Sequence, residues 1–128
     1  TNFISQQGVL NFESIIRHEK FKDDLIESHG FDPNISVNDA IDIFRELNPI
    51  NITENSIKNN NIKLPNTLFI HGDSDENVDF QENPTLLHQI LENNGFNSEL
   101  HALKGVGHAT YEHGEELGVL IANFISRS

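Results

Sequence analysis

Two short runs of β-favouring residues, each bounded by turn formers and each followed by an amphipathic stretch, constrain this chain more than any other feature. Leu64-Pro65-Asn66 leads into Thr67-Leu68-Phe69-Ile70-His71, and Gly72 follows. That pattern predicts a strand buried on both faces. A polar loop, Gly72-Asp73-Ser74-Asp75-Glu76-Asn77, comes next. A helix is expected from about Phe80 or Pro84 to Asn94, with Leu86, Leu87, Ile90 and Leu91 inward and Gly95 as its stop. Residues 98–103 then alternate as a strand does. Gly105-Val106-Gly107-His108 forms a second loop, and a last helix runs over 115–126 with Leu117, Leu120, Ile121, Phe124 and Ile125 on one face. Alternation of this kind argues for right-handed βαβ crossovers. The fold class is therefore α/β, with parallel strands and flanking helices.

The first half is patterned less clearly. Phe3 and Ile4 could end a buried strand. A helix is expected from Phe12 to about Ser28, where Phe12, Ile15, Ile16, Leu25 and Ile26 recur near the helical period, with Asn11 as N-cap and Gly30 as stop. Asp32-Pro33-Asn34 is turn chemistry. A second helix, capped by Ser36 or Asn38, would present Ala40, Ile41, Ile43, Phe44 and Leu47, and Asn48-Pro49 would close it. Residues 50–63 are rich in asparagine, including Asn59-Asn60-Asn61. Asparagine competes for backbone hydrogen bonds, so this stretch reads as a surface connection with one helical turn. Compositional bias is the simpler account of the asparagine run.

Composition removes several function classes. The 128 residues suffice for one modest domain, and no internal repeat or second domain is signalled. A net charge of -12, from 8 basic and 20 acidic side chains, repels phosphate backbones and anionic headgroups. Nucleic acid is thus not an expected partner. Without cysteine there can be no disulfide framework, thiolate zinc site or cysteine nucleophile. No apolar run reaches the roughly 18 residues of a membrane span. The compartment stays open, with a soluble, cytoplasmic one favoured. The chain starts at Thr1, so its native start is expected to lie upstream.

In open parallel sheets, functional groups gather at the carboxyl ends of the strands. Two loops leave strands at that end, one holding Asp75 and the other His108. Adjacent strands lie about 5 Å apart, so such loops touch easily. A carboxylate there can accept from an imidazole Nδ1–H, fixing the ring's tautomer and stabilising the imidazolium. The ordinary alternative is that a loop aspartate only shapes a turn, and Asp73 and Asp79 are read that way. Asp73, Asp75 and Asn77 also match positions one, three and five of a calcium loop. Val78 stands where glycine is needed, however, and Pro84 where glutamate is needed. No metal or cofactor is expected. His108 and His113 are five apart, the wrong spacing for a zinc-binding helix face. His18, His29, His71, His88, His101 and His113 are read as structural or surface residues.

These residues resemble a known family. His71-Gly72-Asp73-Ser74-Asp75-Glu76-Asn77-Val78 resembles the His-Gly-x-x-Asp-x-x-Val motif of α/β-hydrolases, and Gly105-Val106-Gly107-His108 resembles their Gly-x-Gly-His loop. The resemblance implies Asp75 as the acid and His108 as the base of a Ser-His-Asp triad. It covers residues 64–128 well, as the last two strands and helices. It covers residues 1–63 more weakly, as the sixth strand and connecting or cap helices. The Gly-x-Ser-x-Gly nucleophile motif is missing: Ser5, Ser14, Ser28, Ser36, Ser56 and Ser74 all lack its context. The chain is accordingly expected to be the C-terminal part of an α/β-hydrolase domain whose remaining N-terminal half supplies the nucleophile and oxyanion hole. Alone it should be inactive, with open sheet edges that favour aggregation. The implied activity is a serine hydrolase, of carboxylesterase type, acting on a small-molecule acyl ester. The run from the first helix through Asn48-Pro49 and Leu64-Pro65 also looks like the short-chain carboxylesterase, formamidase and prenylcysteine-methylesterase group. A non-catalytic domain that binds a ligand or partner on the same scaffold is the alternative.

Overall fold

The computed structural model describes residues 2–19, 21–59 and 63–127. Three strands, β1 (Asn2–Gln6), β2 (Asn66–Gly72) and β3 (Ser98–Leu103), form one parallel sheet in the order β1-β2-β3. The register sets Gln6 beside Ile70, and Ile70 beside His101. The sequence of strand, helices, strand, helix, strand, helix is the one expected. β2 is the middle strand, and residues 67–72 are all buried. That burial is why this run is nearly all apolar rather than alternating.

Each face of β2 packs on its own helices. Phe69 joins Leu10, Ile50, Leu87 and Leu91, which come from α4 (Pro49–Lys58), α5 (Leu86–Asn93) and the loop after β1. On the other face, Leu68 and Ile70 meet Leu103, Leu117 and Phe124, the last two from α6 (Gly114–Arg127). A third cluster, Ile16, Ile26, Ala40 and Phe44, belongs to three helices between β1 and α4. They are α1 (Phe12–His18), α2 (Lys22–Ser28) and α3 (Val37–Phe44). Ser36 caps α3, its hydroxyl accepting from the Asp39 N–H at 3.1 Å. Among the described residues no helix is long and apolar enough to cross a membrane.

Several expected boundaries are corrected. The helix expected from Phe12 to Ser28 is two helices, broken where Glu19 takes a left-handed backbone (φ 57). Asn48-Pro49 does not close α3 but opens α4, with proline in the first turn, where its missing N–H costs nothing. The stretch read as a connection with one turn is thus a helix of 10 residues, stabilised by Ile50 packing on Phe69. Of the asparagine run, Asn59 ends that helix, while Asn60 and Asn61 lie outside the described residues. Ile43, Leu47 and Ile125, expected to face inward, are exposed. The helix expected near Phe80 begins as a π-helical turn, Gln81–Thr85, with Pro84 inside it. Proline offers no N–H, and the Thr85 N–H reaches back five residues to the Phe80 carbonyl at 3.2 Å.

Asparagine has a second role that composition conceals. Asn83, fully buried, accepts from the N–H groups of Leu10 (3.0 Å) and Asn11 (2.8 Å) through Oδ1. Its Nδ2 donates to the Asp79 carbonyl at 3.1 Å. Buried Asn48 accepts from the Phe12 N–H at 2.8 Å and donates to Asn11 Oδ1 at 2.9 Å. These amides tie the loop after β1 to the segment after β2. Beside them Glu82 binds Ser14, Arg17 and His18, each at 2.7 Å. Burial opposes its ionisation, but these three partners outweigh that and lower its pKa to about 2.

Replacing Asn83 by leucine keeps the branched shape but leaves two buried N–H groups without an acceptor. At roughly 1–3 kcal/mol per orphaned group, Asn83→Leu should cost about 2–5 kcal/mol in urea unfolding. Exposed Asn55 changed to alanine should stay within about 0.5 kcal/mol. Equal midpoint shifts in the two variants would refute the structural role.

Candidate active site

The carboxyl ends of the three strands carry Gln7, Asp75 and His108 in the loops that follow them. The structure brings Asp75 and His108 together, as their loops suggested. The His108 Nδ1 lies 2.9 Å from Asp75 Oδ2. Oδ1 of the same carboxylate accepts from the N–H groups of Asn77 (2.9 Å) and Val78 (3.0 Å). This local turn, closed two and three residues downstream, explains why the spacing from Asp75 to Val78 matters.

Asp75 has no exposed side-chain surface, whereas the His108 side chain is 45% exposed. Burial works against a charge on Asp75. The N–H of Val78, the His108 ring and the N–H of Asn77 outweigh it and hold the carboxyl below the usual carboxylate range. An ionised carboxylate can only accept, so His108 carries its proton on Nδ1 in the neutral ring. Nε2, the other nitrogen, is thereby a base.

Sequence reasoning missed two members of this cluster. His71 was read as structural only, yet its Nε2 stands 2.9 Å from the Val78 carbonyl and 3.1 Å from Asp75 Oδ2. Both neighbours are acceptors, so the proton sits on Nε2. Burial, opposed by the Val78 contact and the Asp75 charge, pushes the His71 pKa below the ordinary value. His71 is thus a buried neutral donor. The second missed residue is Gln7. Its Oε1 accepts from the Gly72 N–H at 2.6 Å, and its Nε2 lies 3.3 Å from Asp75 Oδ2.

The turn aspartates also do more than expected. Asp73 accepts from the Gly105 N–H at 2.7 Å, and the Ser74 N–H donates to the Val106 carbonyl at 3.0 Å, joining the two loops. Asp79 accepts from the Glu82 N–H at 2.8 Å. Asp73 and Asp75 therefore point to different partners, unlike paired ligands of one cation. Gly72 makes the close approach possible. A Cβ there would run into the carbonyl oxygens of Val106 and Gly107.

His108 borders an open depression of about 510 Å³. Its wall is mainly apolar, lined by Val9, Ile15, Phe21, Leu25 and Val78 together with Asp24. A smaller groove of about 220 Å³, between Phe3, Leu10, Pro49 and Leu91, includes neither Asp75 nor His108. Of these two, the first is the one that borders the Asp75–His108 pair.

Comparison with known proteins is consistent with this arrangement. The model of the prolyl oligopeptidase family matches residues 3–126. Among solved structures, the acylaminoacyl peptidase of Pyrococcus horikoshii matches with a TM-score of 0.62 and 19% identity, over 88% of this chain. This chain spans 17% of the length of that protein. No curated protein matches. The fold is that of an α/β-hydrolase, of which these residues form a C-terminal part.

Two outcomes follow from the geometry. Gly72→Ala should destabilise the protein by about 1–3 kcal/mol, because the methyl meets backbone rather than a yielding side chain. A variant as stable as the parent would refute the close approach. His71 has a folded pKa below its unfolded value of 6.5, so the unfolded state takes up its proton first on acidification. Its contribution is complete above pH 6.5 and declines below it. Denaturant unfolding should show stability falling from pH 6.5 towards 5, and His71→Gln should flatten that slope.

Proposed function

The chain belongs to the prolyl oligopeptidase family, and on that premise we propose that it supplies the acid and base of a serine peptidase site. Asp75 is the acid and His108 the base. The observation that carries this reading is the 2.9 Å contact between His108 Nδ1 and a buried, ionised carboxylate, beside an apolar depression. In this reading β1, β2 and β3 are the sixth, seventh and eighth strands of the hydrolase fold. The nucleophilic serine then lies in a segment outside these 128 residues, as do the oxyanion-hole donors.

The chemistry runs through His108 Nε2. The serine hydroxyl gives its proton to Nε2 as its oxygen attacks the acyl carbon, and the C–N bond breaks when Nε2 returns that proton to the leaving amine. A water then repeats the sequence on the acyl-enzyme. During each transfer His108 is an imidazolium, and the Asp75 carboxylate stabilises it without taking its proton. The apolar wall of Val9, Phe21 and Leu25 suits an uncharged side chain next to the scissile bond. Membership of the family supports peptides over the carboxylic esters expected at first, with esters as the second acyl class the same groups could cleave.

The test uses the complete protein. Hydrolysis of a blocked peptidyl p-nitroanilide with an apolar residue before the scissile bond is expected, and p-nitrophenyl acetate forms the second arm. His108→Ala should lower kcat by roughly 10³-fold or more in whichever arm is active, and Asp75→Asn nearly as much. Full activity in His108→Ala would sink the assignment. Activity on the ester alone would restore the esterase reading. A folded protein inactive on both would favour the ligand- or partner-binding alternative.

A further inference from the structure

Gln7 is a side chain outside the acid–base pair that touches the loops of both members. It follows β1 directly, is buried, and takes a left-handed backbone at φ 54. Residues with a Cβ seldom hold that conformation, and glutamine has no local device that favours it. The Gln7 N–H continues the ladder to the Ile70 carbonyl at 3.0 Å. The turn at Gln7 thus sends its side chain across the strand ends instead of along the sheet.

Both ends of the amide are engaged. Oε1 accepts from the Gly72 N–H at 2.6 Å. Nε2 donates to the Gly107 carbonyl at 2.7 Å and the His108 carbonyl at 3.0 Å, and lies 3.3 Å from Asp75 Oδ2. The partners dictate the orientation of the amide: the Gly72 N–H needs an acceptor, and the carbonyls and carboxylate need donors. One side chain therefore joins the ends of all three strands. The loop it grips needs such a grip. It contains Gly105 and Gly107, a Cβ at Gly107 would touch little, and the His108 side chain is nearly half exposed. Packing alone does not fix where that ring stands.

We propose that Gln7 is a positioning residue for the Asp75–His108 pair, holding the His108 backbone against the Asp75 loop so that Nδ1 keeps its contact with Oδ2. The inference rests on the acid–base reading above. It adds a role for the residue just after the first strand, which no part of that reading requires. Gln6 assists from the neighbouring position, its Nε2 donating to Thr110 Oγ1 at 2.8 Å.

The test is Gln7→Met in the complete protein, which keeps the length of the side chain and removes every amide contact. With the ring less well placed, kcat should fall roughly ten- to hundredfold while KM stays within about twofold. The imidazolium also loses part of its carboxylate support, so the acid limb of the kcat/KM profile should move about half a pH unit lower. Titration of active sites with a fluorophosphonate corrects both values for any unfolded fraction. Unchanged kcat and an unmoved acid limb would overturn the proposal. So would a loss that tracks only the titratable fraction. If Gln7→Met does not fold, Gln7→Asn replaces it, because asparagine tolerates the left-handed backbone and keeps an amide with one methylene less reach. An intermediate kcat with the same shift of the limb supports positioning, whereas wild-type behaviour in Gln7→Asn overturns it. An inactive His108→Ala with a fully active Gln7→Met would remove this inference alone. An active His108→Ala would remove the reading beneath it.

Discussion

A buried carboxylate at the end of the middle strand is the constraint around which this structure is arranged. Asp75 has no side-chain surface in contact with solvent, and an isolated charge there would be too costly to keep. It stays ionised because donors reach it from its own turn and from His108, with His71 and Gln7 also close to its Oδ2. Each donor fixes something else in turn. The Asn77 and Val78 amides fix the loop, and the Val78 carbonyl fixes His71. Gln7 fixes Gly72 and the His108 backbone. Satisfying one charge organises the ends of three strands.

The sheet makes that convergence possible, and the crossover between β1 and β2 makes it specific. A parallel pair needs a connection that climbs over one face, and here the connection holds four helices. Apolar packing alone, through Ile16, Ile26, Ala40 and Phe44, would let this small layer settle in several positions. The amides of Asn11, Asn48 and Asn83, with Glu82 on the carboxylate side, pick one position. That position brings Phe21 and Leu25 to the same depression as His108 and Val78. Polar groups with fixed partners therefore place an apolar wall next to the His108 ring.

What the sequence made legible depends on how local the cause was. β2 and β3 were readable because burial on both faces or one face leaves a pattern within six or seven residues. Asp75 was readable for the same reason: its turn closes on Asn77 and Val78. The break at Glu19 was hidden because Leu25 and Ile26 resume the helical phase of Ile15 and Ile16, although Glu19 between them takes a left-handed backbone. α4 was hidden by its asparagines, which disfavour helix until Ile50 docks on the sheet core. Gln7 was the least legible of all, with partners 65 and 100 residues away in sequence. Nothing in Gln6-Gln7-Gly8 announces them.

The difference in exposure between Asp75 and His108 is itself a functional argument. A base must meet both its proton donor and solvent, so its ring cannot be sealed; an orienting acid must keep its charge and direction, so it cannot be left to water. Burying one and exposing the other meets both needs but creates a weakness at the boundary, where the ring rests on a glycine-containing loop. Packing cannot repair that weakness without covering the ring. Hydrogen bonds to the backbone behind it can, because they restrain the loop and leave the face of the imidazole open. Gln7 reaches the carbonyls of Gly107 and His108 from that side, and Asp73 restrains the same loop at Gly105. The restraints therefore fall on the backbone before and at His108, where they add rigidity without occupying Nε2, the nitrogen of the proposed proton transfers.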